Sequence, residues 1–105
     1  MNNDKMYICV LDTVPDYIVP TLVAHATLRH HLFEVAGNLR DHDRYISWVH
    51  DSFNKCVVSV NQKEFDKIRL LPNIVDDDIS CVTIIAHKDE FDVLKFAKFW
   101  KPRGC

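Results

Sequence analysis

Between Val10 and His31 the sequence reads VLDTVPDYIVPTLVAHATLRHH. An apolar run ends in a loop holding the carboxylates Asp12 and Asp16, and a helical segment opened by Pro20 carries the imidazole of His25. Carboxylate and imidazole groups are the side chains that move protons near neutral pH. Asp12 and His25 are therefore candidates for acid–base work, with Thr13 and Asp16 as the polar residues that would hold a substrate or partner. Asp76, first of the acidic run Asp76-Asp77-Asp78, is a third candidate carboxylate, and His87-Lys88 offers positive charge for an anion. Each has a plainer reading. A histidine on a helix is satisfied by a backbone carbonyl, and three acids in a loop are a solvated connection. The six histidines show no pair at the four-residue helical spacing that aligns two metal ligands, so neither a metal nor a cofactor is expected. No P-loop, dinucleotide fingerprint or nucleophile elbow is present.

Strands alternating with helices would position these groups. Tyr7–Leu11 is a continuous apolar run, as a strand buried on both faces requires. A helix is expected from Tyr17 to Ala36, with Leu22, Ala26 and Phe33 near one face, Val19, Val23 and Leu32 flanking it, Pro20 in the first turn and Gly37-Asn38 as the stop. On that face His25 would turn toward the sheet, and His30 and His31 would point to solvent. YISWVHDSF has an ambiguous period, and one solution is a short helix packing Ile46 and Val49 inward. Lys55–Val60 is a second strand. Asn61 with Glu64 forms a capping box for a helix that buries Phe65, Ile68 and Leu71 and closes at Pro72. Ile74-Val75 is an abbreviated edge strand and Cys81–Ala86 a third full strand. A last helix runs from Asp89 and Glu90 to Lys95, Lys98 and Lys101, a charge order that suits the helix dipole.

The expected architecture is one domain over residues 1–105, of α/β class. It is a three-layer arrangement whose twisted sheet is mainly parallel or mixed, with helices on both faces. Ligands of such sheets bind beyond the carboxyl ends of the strands. Asp12–Asp16, Asn61-Gln62 and His87-Lys88-Asp89 are expected to meet there.

Hydrophobic content of 48% with 27% charged residues places the chain among ordinary globular proteins. A net charge of −2 gives no overall attraction to nucleic acid, so RNA binding would need a local patch. Arg29, His30, Arg40 and Arg44 form one candidate group, and Lys95, Lys98, Lys101 and Arg103 another. Cys9, Cys56 and Cys81 lie in apolar runs without C-x-x-C spacing and read as free strand thiols in a reducing, cytoplasmic setting. The opening MNNDK has no leader character, and no apolar run would cross a bilayer.

The layout resembles the type II peptidyl-tRNA hydrolases over roughly Lys5 to Lys101. YICVLDT matches that family's first strand and turn, VAHA its helix motif, NKCVVSVN its second strand, and CVTIIAHKDEFDVLKFAKFW its last strand and helix. The resemblance implies the fold, tRNA as the ligand class, and ester hydrolysis as the activity. The family's helix motif, roughly G-K-x-A-A-Q-x-x-H-A, survives here only as His25 and Ala26. Tyr17 replaces its glycine, Ile18 its lysine, Pro20 and Thr21 its alanines, and Leu22 its glutamine. Isoleucine supplies no positive charge to a phosphate or an oxyanion. Asn73–Ser80 is shorter than the family's counterpart, with Asp76–Asp78 standing for its aspartate. His87-Lys88-Asp89 replaces a glycine-proline turn. The first functional expectation is thus a divergent, non-catalytic member of this fold that binds RNA, including tRNA, or a protein partner through an exposed Trp48, Trp100 or Tyr45. The alternatives are a divergent peptidyl-tRNA hydrolase using Asp12, His25 and Asp76, and a self-assembling domain that forms a homodimer through the edge near Ile74.

Overall fold

In a computed structural model of the chain, residues 4–36, 42–75 and 80–102 are described. The first strand, β1 (Asp4–Leu11), is the centre of the molecule, and every residue from Met6 to Leu11 is buried. Its sequence shows no polar alternation because neither face meets water. Helix α1 (Val19–Val35) follows, then α2 (His42–His50), β2 (Asn54–Val60), α3 (Gln62–Ile68), β3 (Cys81–His87), a single-turn α4 (Asp92–Lys95) and a two-residue β4 (Lys98–Phe99). The sheet order is β3-β1-β2-β4. β1 and β2 are parallel, while β3 and β4 run antiparallel to their neighbours. The fold is of the α/β class with a mixed sheet. Buried side chains from all three long strands and all four helices form one apolar cluster, including Phe65 and Ile68, which are wholly buried.

Local chemistry explains several elements. Pro20 stands in the first turn of α1, where its missing N–H has no intrahelical partner to lose. Asn61 accepts from the Glu64 N–H at 2.8 Å while the Glu64 carboxylate accepts from the Asn61 N–H at 2.9 Å, completing the expected capping box. The abbreviated edge strand is present as a bridge, with the Val75 N–H donating to the Thr83 carbonyl at 2.8 Å. The expected stop at Gly37-Asn38 lies outside the described residues.

Four expectations are corrected. The inward face of α1 carries Val19, Ala26, His30 and Glu34, whereas Leu28 and Leu32 are exposed. His30 is therefore a core residue and not a solvent one, because the sheet offers Thr83 as a polar partner. His25 is exposed and does not turn toward the sheet. In α2 the buried residues are Tyr45 and Trp48, Val49 packs against the core as expected, and Ile46 is exposed. Aromatic rings bury more area per residue, and the Trp48 indole N–H donates to the Asn54 carbonyl at 2.8 Å, so its polar atom is satisfied.

The last helix ends at Lys95, and Lys98–Phe99 pairs with β2. The Trp100 N–H adds a bond to the Val57 carbonyl at 2.9 Å. Left open, the outer edge of β2 would expose a row of unpaired backbone groups.

The antiparallel course of β3 has a simple cause. Val75 pairs antiparallel to Thr83, so it runs in the direction of β1. The chain has recrossed the sheet before β3 begins, and β3 returns the other way.

Candidate functional site

The carboxyl ends of the parallel strands β1 and β2 lie side by side. The Asp12 N–H donates to the Val60 carbonyl at 2.8 Å, and the Leu11 N–H donates to Ser80 at 3.0 Å, which fixes where the chain leaves the sheet. Val14, buried, anchors the loop that carries exposed Thr13 and half-buried Asp16. Because α3 starts directly after β2, its capping box places Asn61 and Glu64 beside Asp12.

A groove of about 480 Å³ opens here, lined by Asp12, Ser59, Asn61, Glu64, Phe96, Lys98, Phe99 and Lys101. A second hollow of about 120 Å³ adjoins it, bounded by Leu11, Asp12, Ser59, Trp100 and Lys101. One wall is acidic and amide-bearing. The other, built by α4 and β4, carries two ammonium groups and two phenylalanine rings. Phe96, at the end of α4, is 73% exposed and Phe99, on β4, 63%, a large apolar exposure within one short segment. Lys95, one turn earlier, lies 4.0 Å from Asp89 and is anchored on that side.

Of the residues marked by sequence, Asp12 and Asn61 do come together. His87 and Lys88 do not join them. His87 pairs with Asp4 at the opposite end of β1, a direct consequence of the antiparallel β3. There the His87 N–H donates to Glu90 at 3.0 Å and its ring nitrogen Nδ1 accepts from the Asp89 N–H at 3.2 Å, so the segment forms a closed turn. His25 is exposed on α1 and does not line the groove. Asp76 lies outside the described residues. Tyr45 and Trp48 are buried and do not serve as exposed anchors, while Trp100 is half-buried against the core. The exposed aromatics of the site, Phe96 and Phe99, are absent from the sequence-based set. Their signal was the run KFAKFWK, in which lysines and aromatic residues interleave too closely to make one clean helical face.

Chemically, the groove pairs cations for an anion with flat apolar faces for stacking, opposite hydrogen-bonding groups. Asn61 and Ser59 offer donors and acceptors, and Asp12 accepts. Among the described residues no cluster of three histidine, cysteine or acidic side chains could hold a metal ion. No protein-family model, curated protein or solved structure compared with the chain matches it.

Proposed function

We propose that this domain is a binding protein for single-stranded RNA, held along the edge made by α4 and β4. The observation that carries the reading is the pair of exposed rings, Phe96 and Phe99, flanked by Lys98 and Lys101 on one wall of the groove. Proteins that hold single strands combine aromatic stacking platforms with a basic track for the backbone. Stacking needs an exposed ring face, and a base stacked on it brings its phosphate within reach of the neighbouring ammonium groups. The acidic wall repels phosphate, so the backbone follows β4 while the base edges turn toward Asp12, Ser59 and Asn61. Carboxylate and amide oxygens there accept from exocyclic amino groups. A chain of net charge −2 needs such a local patch. The resemblance to peptidyl-tRNA hydrolases is consistent with RNA as the ligand class.

The test is fluorescence anisotropy with a labelled single-stranded RNA ending in CCA, measured across a salt series. Phe96→Ala and Phe99→Ala are each expected to weaken binding by about 1–3 kcal/mol, the usual worth of one stacked base. A double change of Lys98 and Lys101 to Gln should flatten the salt dependence. Binding unchanged by all of these substitutions would sink the proposal.

A second reading, ester hydrolysis, draws on the position of Asp12 beside Lys98 and Lys101 in the same groove. A carboxylate to activate water and cations to stabilise an oxyanion are the groups that reaction needs. Incubation with N-blocked aminoacyl-tRNA separates the two readings. Release of the acyl-amino acid that disappears in Asp12→Asn favours hydrolysis, and binding without release favours the first.

A further inference from the structure

A second cavity, sharing no lining residue with the groove, lies between α1, α2 and the start of β2. It measures about 260 Å³ and is walled by Met6, Thr27, Leu28, Tyr45, Trp48, Phe53 and Lys55. Its aromatic side is ordered: the Tyr45 and Trp48 ring centroids are 5.8 Å apart, and those of Trp48 and Phe53 are 5.0 Å apart, tilted by 41° and 46°. Leu28, 65% exposed, and Phe53, 52% exposed, form the rim.

Among the described lining residues, Lys55 is the charged one. Its ammonium lies 3.3 Å from the centroid of the Phe53 ring and 5.4 Å from that of Trp48, and it donates to the Phe53 carbonyl at 2.8 Å. Among the described residues no carboxylate lies within ion-pair distance of it. Phe53 itself sits at φ 51°, a left-handed conformation that a bulky side chain avoids. Its N–H is bonded to the Trp48 carbonyl at 2.8 Å. These bonds hold the ring at the cavity mouth under the ammonium.

We infer that this cavity is a binding site for a small aromatic carboxylate, with its ring packed among Met6, Leu28, Trp48 and Phe53 and its carboxylate on Lys55. Three observations select that chemistry. The walls are apolar and aromatic, and a further ring extends their tilted packing. Among the described residues the charge at the mouth is that of Lys55, with no carboxylate within ion-pair distance, so it complements an anion. The volume suits a ligand of about ten non-hydrogen atoms, below the usual range for drug-sized molecules. A cationic ligand would meet Lys55 already over the rings it needs.

The test uses the full chain and three isosteres: 3-phenylpropionate, 3-phenylpropanol and 3-phenylpropylamine. Each is titrated to millimolar concentration while the Trp48 indole N–H and the backbone amides of Thr27, Leu28 and Phe53 are followed by heteronuclear NMR. The carboxylate is expected to move these signals with an affinity about fivefold above the alcohol, the usual worth of a partly exposed charge pair. In Lys55→Met, a change at an exposed position, that preference should vanish while the alcohol binds as before. Equal affinity for acid and alcohol in the unaltered protein, tightest binding of the amine, or signals that stay in place with all three would each overturn the inference.

Discussion

His30 sits between the sheet and α2. Its Nδ1 is 2.8 Å from the Thr83 hydroxyl, its Nε2 is 3.9 Å from the Glu34 carboxylate, and its ring stacks on Tyr45 with centroids 5.5 Å apart. With the proton on Nε2, toward Glu34, the Thr83 hydroxyl donates to Nδ1. The neighbouring His31 takes a different role, with its Nδ1 at 2.8 Å from the Tyr45 hydroxyl. Burial lowers the His30 pKa from 6.5 to about 4. The sign follows from linkage: below pH 6.5 the unfolded chain binds a proton that the folded chain refuses, so stability falls as the pH drops toward 4 and levels off beneath it. At 1.4 kcal/mol per pH unit, this histidine costs the native state about 3 kcal/mol at most in acid. Urea unfolding at pH 7 and at pH 4.5 checks it. His30→Asn is expected to lose less stability than the parent between those two values, and an identical loss would mean that His30 charges without penalty. Local spacing points the residue to solvent because it assigns a helix face only by its apolar members. Nothing near position 30 announces that Thr83, far along the chain, will supply a partner.

At the scale of elements, the pieces that local chemistry specifies formed where expected. The Asn61–Glu64 box is the clearest, since its donors and acceptors lie within one turn. Asn61→Ala is expected to reduce stability by about 1 kcal/mol in chemical denaturation, with the transition slope unchanged; a change under a few tenths would show that α3 is held by packing alone. Arg44 illustrates the other kind of restraint. From α2 it donates to Asp4 at 2.7 Å and 3.0 Å and also pairs with Glu90, joining the start of β1 to the turn after β3. Hydrogen bonds from that guanidinium hold the Glu90 carboxyl below the usual carboxylate range. Neither partner can be assigned from sequence, because Asp4 meets Arg44 only once α2 packs at the start of β1, and Glu90 joins them only through the antiparallel β3. The same applies to β4: the lysines of KFAKFWK satisfy a helix dipole as well as an edge, and the open side of β2 decides between them.

Across the described residues, burial is concentrated on β1 and its neighbours, and the thiols of Cys9, Cys56 and Cys81 report on it. Cys9 is wholly buried, Cys81 nearly so, and Cys56 only partly. Burial raises the thiols of Cys9 and Cys56 above their ordinary range, which makes both slow nucleophiles. With peptide mapping after alkylation in native buffer, Cys56 is expected to react first. Cys9 should react only at the rate of global unfolding, since the central strand opens last. Equal rates at Cys9 and Cys56 would show that the sheet opens locally at its centre.

The sequence by itself determined the three main strands, the start of α1 at its proline, the capped α3, the bridge at Val75 and the meeting of Asp12 with Asn61. Each rests on residues close in the chain or on the end of an apolar run, where geometry follows from short-range sterics and hydrogen bonding. Only the tertiary structure decided the direction of β3, which moved His87 and Lys88 to the far end of the sheet. It also decided the burial of His30, the end of α4 before Phe96 and the pairing of Phe99 with the open edge of β2. Those outcomes depend on which backbone edges remain unpaired and which polar partners face one another once the sheet has closed, and these are properties of distant segments in contact.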